Sequence, residues 1–190
     1  MQAYSQELTE NIAEIILSAD EIQQRVAELG QILSRDYDGL NPLLIGVLKG
    51  VIFFIADLLR SISIPVELDF MAVSTYSAEA REKGFVRLVK DLEIPLNGRH
   101  VLFVEDVVDT GLTLNYLLNN LRTRQPASLE VCVLFNKPKY RLIDLHLKYI
   151  GFNLPDRYVV GYGLDYRERF RNLPFLGLLT PQTIDQQYSK

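Results

Sequence analysis

The sequence predicts an α/β fold with a parallel, doubly wound core sheet flanked by helices. Three observations predict it. Several short runs are apolar instead of alternating, as in strands covered on both faces of a parallel sheet; Leu43–Leu48 and Val101–Val104 are apolar throughout, and Leu129–Phe135 is broken only by Glu130. Amphipathic stretches follow the first two: VIFFIADLL from Val51, and Leu114, Leu117, Leu118 and Leu121 at helical spacing. Each run ends in a polar or glycine-containing segment at its carboxyl end, where open α/β sheets bind ligands.

Taken in order, residues 12–17 (IAEIIL) read as a short strand. Ser18 opens a capping box with Glu21, and Ile22, Val26, Leu29 and Leu33 form one helical face that stops before the turn Tyr37-Asp38-Gly39. The strand after Pro42 ends abruptly in Lys49-Gly50. Pro65–Val73 is a third strand, the polar stretch 74–84 a surface loop, and Phe85–Val89 a returning strand. Pro95-Leu96-Asn97-Gly98 turns the chain into its central stretch, VLFVEDVVDTGLTLNYLLNNL. Pro126 precedes the strand 129–135, which runs into Asn136-Lys137-Pro138-Lys139. The segment from Pro155 to Tyr166 reads as an edge strand and turn.

A chain of 190 residues is long enough for one domain with a sizeable core. Its net charge of −4 argues against a general nucleic-acid binder. Cys132 stands alone inside an apolar run, so no internal disulfide forms, which suits a reducing cytoplasm, and the thiol reads as core. The N-terminus lacks the pattern of a secretory signal, and no apolar run approaches the ~20 residues that span a bilayer. A cytoplasmic protein without a membrane partner is expected.

In the central stretch, a short strand (Val101–Val104) is followed by a polar loop holding Glu105, Asp106 and Asp109, and then by Thr110, Gly111 and Thr113 at a helix N-terminus. Free N–H groups and hydroxyls there can cradle a phosphate, and Gly111 permits close approach or positive φ. The carboxylates would repel that phosphate and want ribose hydroxyls or a magnesium ion instead. A phosphorylated sugar satisfies both demands. With a single glycine and no lysine after it, the loop is neither GxGxxG nor Walker A. Composition alone leaves an ordinary capped βα loop open beside that reading. It also leaves Lys49 and Lys137 open as plain solvated lysines.

VLFVEDVVDTGLT closely resembles the phosphoribosyl pyrophosphate signature of the type I phosphoribosyltransferases, and the likeness extends over roughly residues 10–180. The resemblance implies one domain over 1–190, with a core at about 35–145 and a small hood from about 10–35 and 146–180 that covers a base. It implies that Glu105, Asp106, Val107, Asp109, Thr110, Gly111, Leu112 and Thr113 bind phosphoribosyl pyrophosphate, Asp109 also relaying the base's proton. GVLKG resembles the family's pyrophosphate loop, which implicates Lys49 and Gly50 and allows a cis bond at Leu48–Lys49. Thr75-Tyr76 resembles the pair that opens the family's closing loop, although residues 74–84 lack the glycine-rich middle of relatives. LFNKPKYR looks like the motif of the 6-oxopurine branch, in which the lysine, here Lys137, donates to the oxo group.

PDRYVVGYGLDY resembles the hypoxanthine-guanine signature. It implies that Tyr158 stacks on the purine, the Val159 backbone meets its edge, and Asp165 holds a second magnesium; Arg171 of RERFRNL then meets the leaving pyrophosphate. Tyr158 stands where a phenylalanine is commoner and adds a hydroxyl that needs a partner. The expected metal ligands are thus Glu105, Asp106 and Asp165, the cofactor is Mg2+, and the partners are phosphoribosyl pyrophosphate, a 6-oxopurine and further copies of the chain in a dimer or tetramer. Two rivals remain: a phosphoribosyltransferase for xanthine or a pyrimidine, and a non-catalytic nucleotide-responsive regulator. Lys137 and YVVGYGLDY disfavour a pyrimidine; Asp109 and the acidic balance disfavour the regulator.

Overall fold

The computed structural model describes residue 8, residues 10–75 and residues 86–185. Strand β1 (Ile12–Leu17) leads into helix α1 (Ala19–Asp36), started by the expected capping box: the Ser18 hydroxyl accepts from Glu21 N while the Glu21 carboxylate accepts from Ser18 N. The main sheet follows. It contains β2 (Leu43–Leu48), β3 (Glu67–Thr75), β4 (Val86–Lys90), β5 (His100–Val108), β6 (Ser128–Asn136) and β7 (Tyr149–Asn153), in the spatial order β4-β3-β2-β5-β6-β7. All neighbours pair in parallel except β4, an antiparallel edge strand on β3.

Both faces are covered, so the central strands are apolar without alternation. On one face α1 and α2 (Ile52–Ser61) pack Ile22, Val26, Leu29, Leu33, Phe54, Ile55 and Leu58 against Leu44, Leu102, Val104 and Cys132. On the other, α3 (Leu112–Arg122) buries Leu114, Leu117, Leu118 and Leu121 against Leu43, Ile45, Phe103 and Val133.

A second sheet joins the two ends of the chain. Strand β9 (Leu176–Leu179) lies between β1 and β8 (Val159–Val160), antiparallel to both, and a short helix α4 (Pro181–Asp185) follows it. Val159, Tyr162, Leu164, Leu176 and Leu178 share an apolar cluster with α1 and α2, which seats this sheet on the main one. Strand β7 belongs to the main sheet, so that sheet extends past the limit near residue 145 expected from sequence. Its five residues include Gly151 and Asn153 and present no long apolar run. Among the described residues, no helix is long and apolar enough to cross a membrane.

Helices α1 and α2 approach closely at Gly30 of α1. A Cβ there would lie 2.5 Å from Ser61 Cβ and 2.6 Å from its carbonyl oxygen at the end of α2. Overpacking of this kind costs about 1–3 kcal/mol, against about 1 kcal/mol that alanine gains over glycine inside a helix. Gly30→Ala should therefore lower the urea midpoint, by about 1–2 kcal/mol of stability at the upper half of that cost range. A raised midpoint would mean that α1 and α2 separate freely.

Candidate active site

The central strand is longer than its apolar run. β5 continues through Glu105, Asp106, Val107 and Val108, because Glu105, Val107 and Val108 still find partners on β6, at Val133, Phe135 and Asn136. The expectation of a polar loop holding all three acids is thus corrected: the loop is only Asp109–Gly111, and α3 starts at Leu112. The two β-branched valines keep the chain extended where the acids alone suggested a loop.

A cavity of about 440 Å3 opens at the carboxyl ends of β5 and β6 and is lined by Gly50, Asp106, Val107, Asp109, Lys137, Tyr158, Val159, Leu164, Asp165 and Arg171. Nine of these ten were singled out in the sequence, and they come from five separate segments. A larger cavity of about 640 Å3, under Arg122, Leu145 and His146, contains none of those nine. Chemistry rather than size marks the smaller one.

Three backbone segments meet at its floor with no room for side chains. A Cβ on Gly50 would strike the Asp106 carboxylate, and one on Gly163 would strike the Gly50 carbonyl. The bond Leu48–Lys49 is cis. These contacts hold the β2 loop, the end of β5 and the 161–164 turn together.

The helix N-terminus beside the cavity is clamped from behind. Lys137 N donates to Val108 O (2.9 Å), Arg141 Nε to Asp109 O (2.8 Å), Leu142 N to Thr110 O (3.0 Å) and Asn115 N to Gly111 O (2.9 Å). Arg141 also donates to Val108 O and to Asn136 Oδ1. With these carbonyls taken, the N–H groups at the start of α3 point toward an anion's position, Leu112 N making only a long 3.4 Å contact with Thr110 Oγ1. Gly111 adopts φ +83°, and a Cβ there would press on Leu145 and Arg141. Sequence reasoning read only the lysine of LFNKPKYR and missed Arg141, whose signal was its place one short turn after the strand end.

Electrostatics divide the site. Burial pushes the Asp106 carboxyl up to about 6, although Val107 N donates to it and the Arg171 charge opposes the rise. Burial, with the Asp106 charge beside it, pushes Glu105 well above the ordinary carboxylate range. Glu105 does not line the cavity, and its Oε2 is buried without a hydrogen-bond partner. The expected trio of Glu105, Asp106 and Asp165 is therefore not gathered; among the described residues no three acidic, histidine or cysteine side chains form a metal nest. The reason is the two-residue period of a strand, which sends neighbouring Glu105 and Asp106 to opposite faces.

The cations at the rim are already engaged. Arg171 Nη2 meets Asp165 Oδ1 at 2.7 Å and Glu168 Oε1 at 3.3 Å, and its Nη1 donates to Gly163 O. Lys49 Nζ lies 2.9 Å from Glu168 Oε2. The Tyr158 hydroxyl donates to Asp165 O (3.3 Å), which supplies the partner it needs, and its ring stands edge-on to Tyr166. Thr75 ends β3 opposite Val86, and Tyr76 lies outside the described residues.

Residues 13–167 match the family model described as a phosphoribosyl transferase domain. The chain belongs to the phosphoribosyltransferase family. It is 47% identical over 182 residues to a hypoxanthine-guanine phosphoribosyltransferase of Mycobacterium avium, covering 93% of this chain and 90% of that protein. It is 45% identical over 171 residues to the Bacillus subtilis enzyme of the same name, covering 90% and 95%. A crystal structure of a Staphylococcus aureus hypoxanthine phosphoribosyltransferase superposes with a TM-score of 0.91 at 39% identity, covering 95% of this chain and 98% of that one. The α/β architecture expected from sequence is thus that of solved phosphoribosyltransferases.

The raised Asp106 carboxyl has a measurable consequence for this phosphoribosyltransferase. A carboxyl whose pKa is raised on folding contributes stability below its unfolded pKa, and that contribution is lost as pH rises through the folded value. The window here runs from ~4 to about 6. Asp106→Asn does not titrate, so its stability relative to the natural protein should increase by up to about 3 kcal/mol between pH 4 and pH 7. Urea unfolding in chelator at several pH values reads this difference. A pH-independent difference would show that Asp106 ionises as an ordinary exposed aspartate does.

Proposed function

We propose that this phosphoribosyltransferase works in purine salvage, moving the phosphoribosyl group of phosphoribosyl pyrophosphate to hypoxanthine or guanine and releasing pyrophosphate. The observation that carries the reading is the convergence of Lys137, Tyr158 and Val159 with Asp106, Asp109, Asp165 and Arg171 in one cavity. Its volume suits a small ligand with a few convergent polar groups. The core sheet and the two-ended small sheet act as core and hood of one unit.

In this reading the sugar phosphate sits at the start of α3, on the backbone N–H groups and hydroxyls of Thr110–Thr113. Asp106 accepts from the ribose hydroxyls. Lys49, Gly50 and Arg171 receive the pyrophosphate, and Thr75 and Tyr76 open the loop that covers it. Tyr158 stacks on the purine, the Val159 backbone meets its edge, and Lys137 donates to the 6-oxo group. Bond breaking at the anomeric carbon leaves positive charge on the sugar, so the base must arrive without its imidazole proton; Asp109, exposed at the end of β5, takes it.

The donor set fits magnesium in part. Asp106 and Asp165 share the cavity, and magnesium is commonly held by one or two carboxylates together with substrate oxygens. Bound there, it neutralises charge on the departing pyrophosphate. Glu105, facing elsewhere, supplies no metal ligand. We place the enzyme in the cytoplasm as a homo-oligomer, dimer or tetramer, without nucleic-acid or membrane partners.

The direct test supplies phosphoribosyl pyrophosphate and magnesium with hypoxanthine, guanine, xanthine, adenine or uracil in turn. Nucleotide should form with hypoxanthine and guanine, cease in excess chelator and return with magnesium. Turnover of uracil alone, or full activity in chelator, overturns the reading.

Base selection rests on Lys137. An ammonium has three donors and no acceptor, so it favours an oxo group over adenine's amino group. A hydrogen bond with a charged partner is worth ~1.5–3 kcal/mol, or roughly 10- to 100-fold. Lys137→Gln should lower kcat/KM for hypoxanthine and guanine by about that factor and narrow the preference over adenine. An unmoved ratio would place the contact with the oxo group elsewhere.

A further inference from the structure

Glu168 bridges Arg171, which lines the cavity, and Lys49, the neighbour of the lining residue Gly50, with Oε2 on Lys49 Nζ at 2.9 Å and Oε1 on Arg171 Nη2 at 3.3 Å. Lys49 belongs to the β2 loop and Arg171 to the segment before β9, so one carboxylate spans two elements far apart in the chain. It reaches them because Arg167 and Glu168 take left-handed φ values of 53° and 63°, and Glu168 N is fixed by Asp165 Oδ2 at 2.9 Å. Non-glycine residues in that region are uncommon and gather at functional sites.

The arrangement copies a ligand. Two oxygens on one anionic group, each on a different cation, are what a bridging phosphate group would present. The Lys49 and Glu168 side chains are 65% and 64% exposed, so the bridge is open to displacement. We propose that Glu168 is an internal counter-anion that occupies the pyrophosphate position and sets the affinity of that site. An incoming polyphosphate must displace it, while a ligand that touches only the start of α3 need not. This rests on the reading that pyrophosphate lies between Lys49 and Arg171.

Competition by an attached carboxylate gives the test a sign. Exposed ion pairs are individually weak, and two of them sharing one carboxylate correspond to roughly a threefold to tenfold penalty on a competing anion. Glu168→Gln keeps the shape and removes the charge. Calorimetric titration of the purified protein with inorganic pyrophosphate in magnesium should show binding roughly three- to tenfold tighter for Glu168→Gln, the gain shrinking as salt is raised. Glu168→Ala should also bind more tightly, which guards against a residual amide contact. Ribose 5-phosphate, which carries no pyrophosphate, should bind the natural protein and both variants alike. If Glu168 merely braces the turn, removal of its charge leaves pyrophosphate binding unchanged or weaker, and the inference falls. Lys49→Met tests the underlying reading separately. Weaker pyrophosphate binding in that variant upholds the position of the ligand whatever Glu168 does, and unchanged binding removes that reading itself.

Discussion

The pairing of β5 with β6 persists to Val108, four residues beyond the last wholly apolar position, and so draws two ionisable side chains into a sheet covered on both faces. The site depends on this constraint. Because the strand stays extended, Asp106 is delivered onto the Gly50 backbone, where no side chain fits, and is held out of water. Burial then favours its neutral form.

The same register decides what the following loop can do. Once β5 ends at Val108, three residues remain before α3, too few to wander, and donors from residues 137–142 and α3 fix their carbonyls. Arg141 is central to that clamp. It touches none of the groups expected to react, yet it presents the backbone of the loop in one orientation, as recognition of phosphate by N–H groups requires.

The two sheets divide the chemistry between them. The main sheet supplies Gly50, Asp106, Asp109 and Lys137; the segment through β8 and the turns before β9 supplies Tyr158, Val159, Asp165 and Arg171. Val159, Tyr162 and Leu164 enter the apolar cluster of α1 and α2, so the hydrophobic effect that seats the small sheet also closes the cavity. The four non-glycine residues with left-handed backbone between Tyr162 and Phe170 lie in this joining segment. They turn the chain sharply enough for Asp165 to meet Tyr158, Glu168 and Arg171.

The sequence by itself determined the layered α/β class, because apolar runs such as LLIGVL and VCVLF fit strands buried on both faces. It also determined the first helix, whose Ser18–Glu21 box and Ile22, Val26, Leu29 and Leu33 stripe are local signals. Nine of the residues lining the cavity were legible, most of them through the resemblance of their short motifs to a known family and not through composition alone. Tertiary structure alone decided which face of β5 each acid occupies. It also decided that β7 closes the main sheet, that Arg141 reaches back under Asp109, and that Glu168 spans Lys49 and Arg171. Motifs and capping boxes are local, so neighbouring residues record them; strand register, edge pairing and ion pairs between distant segments depend on how the whole chain packs.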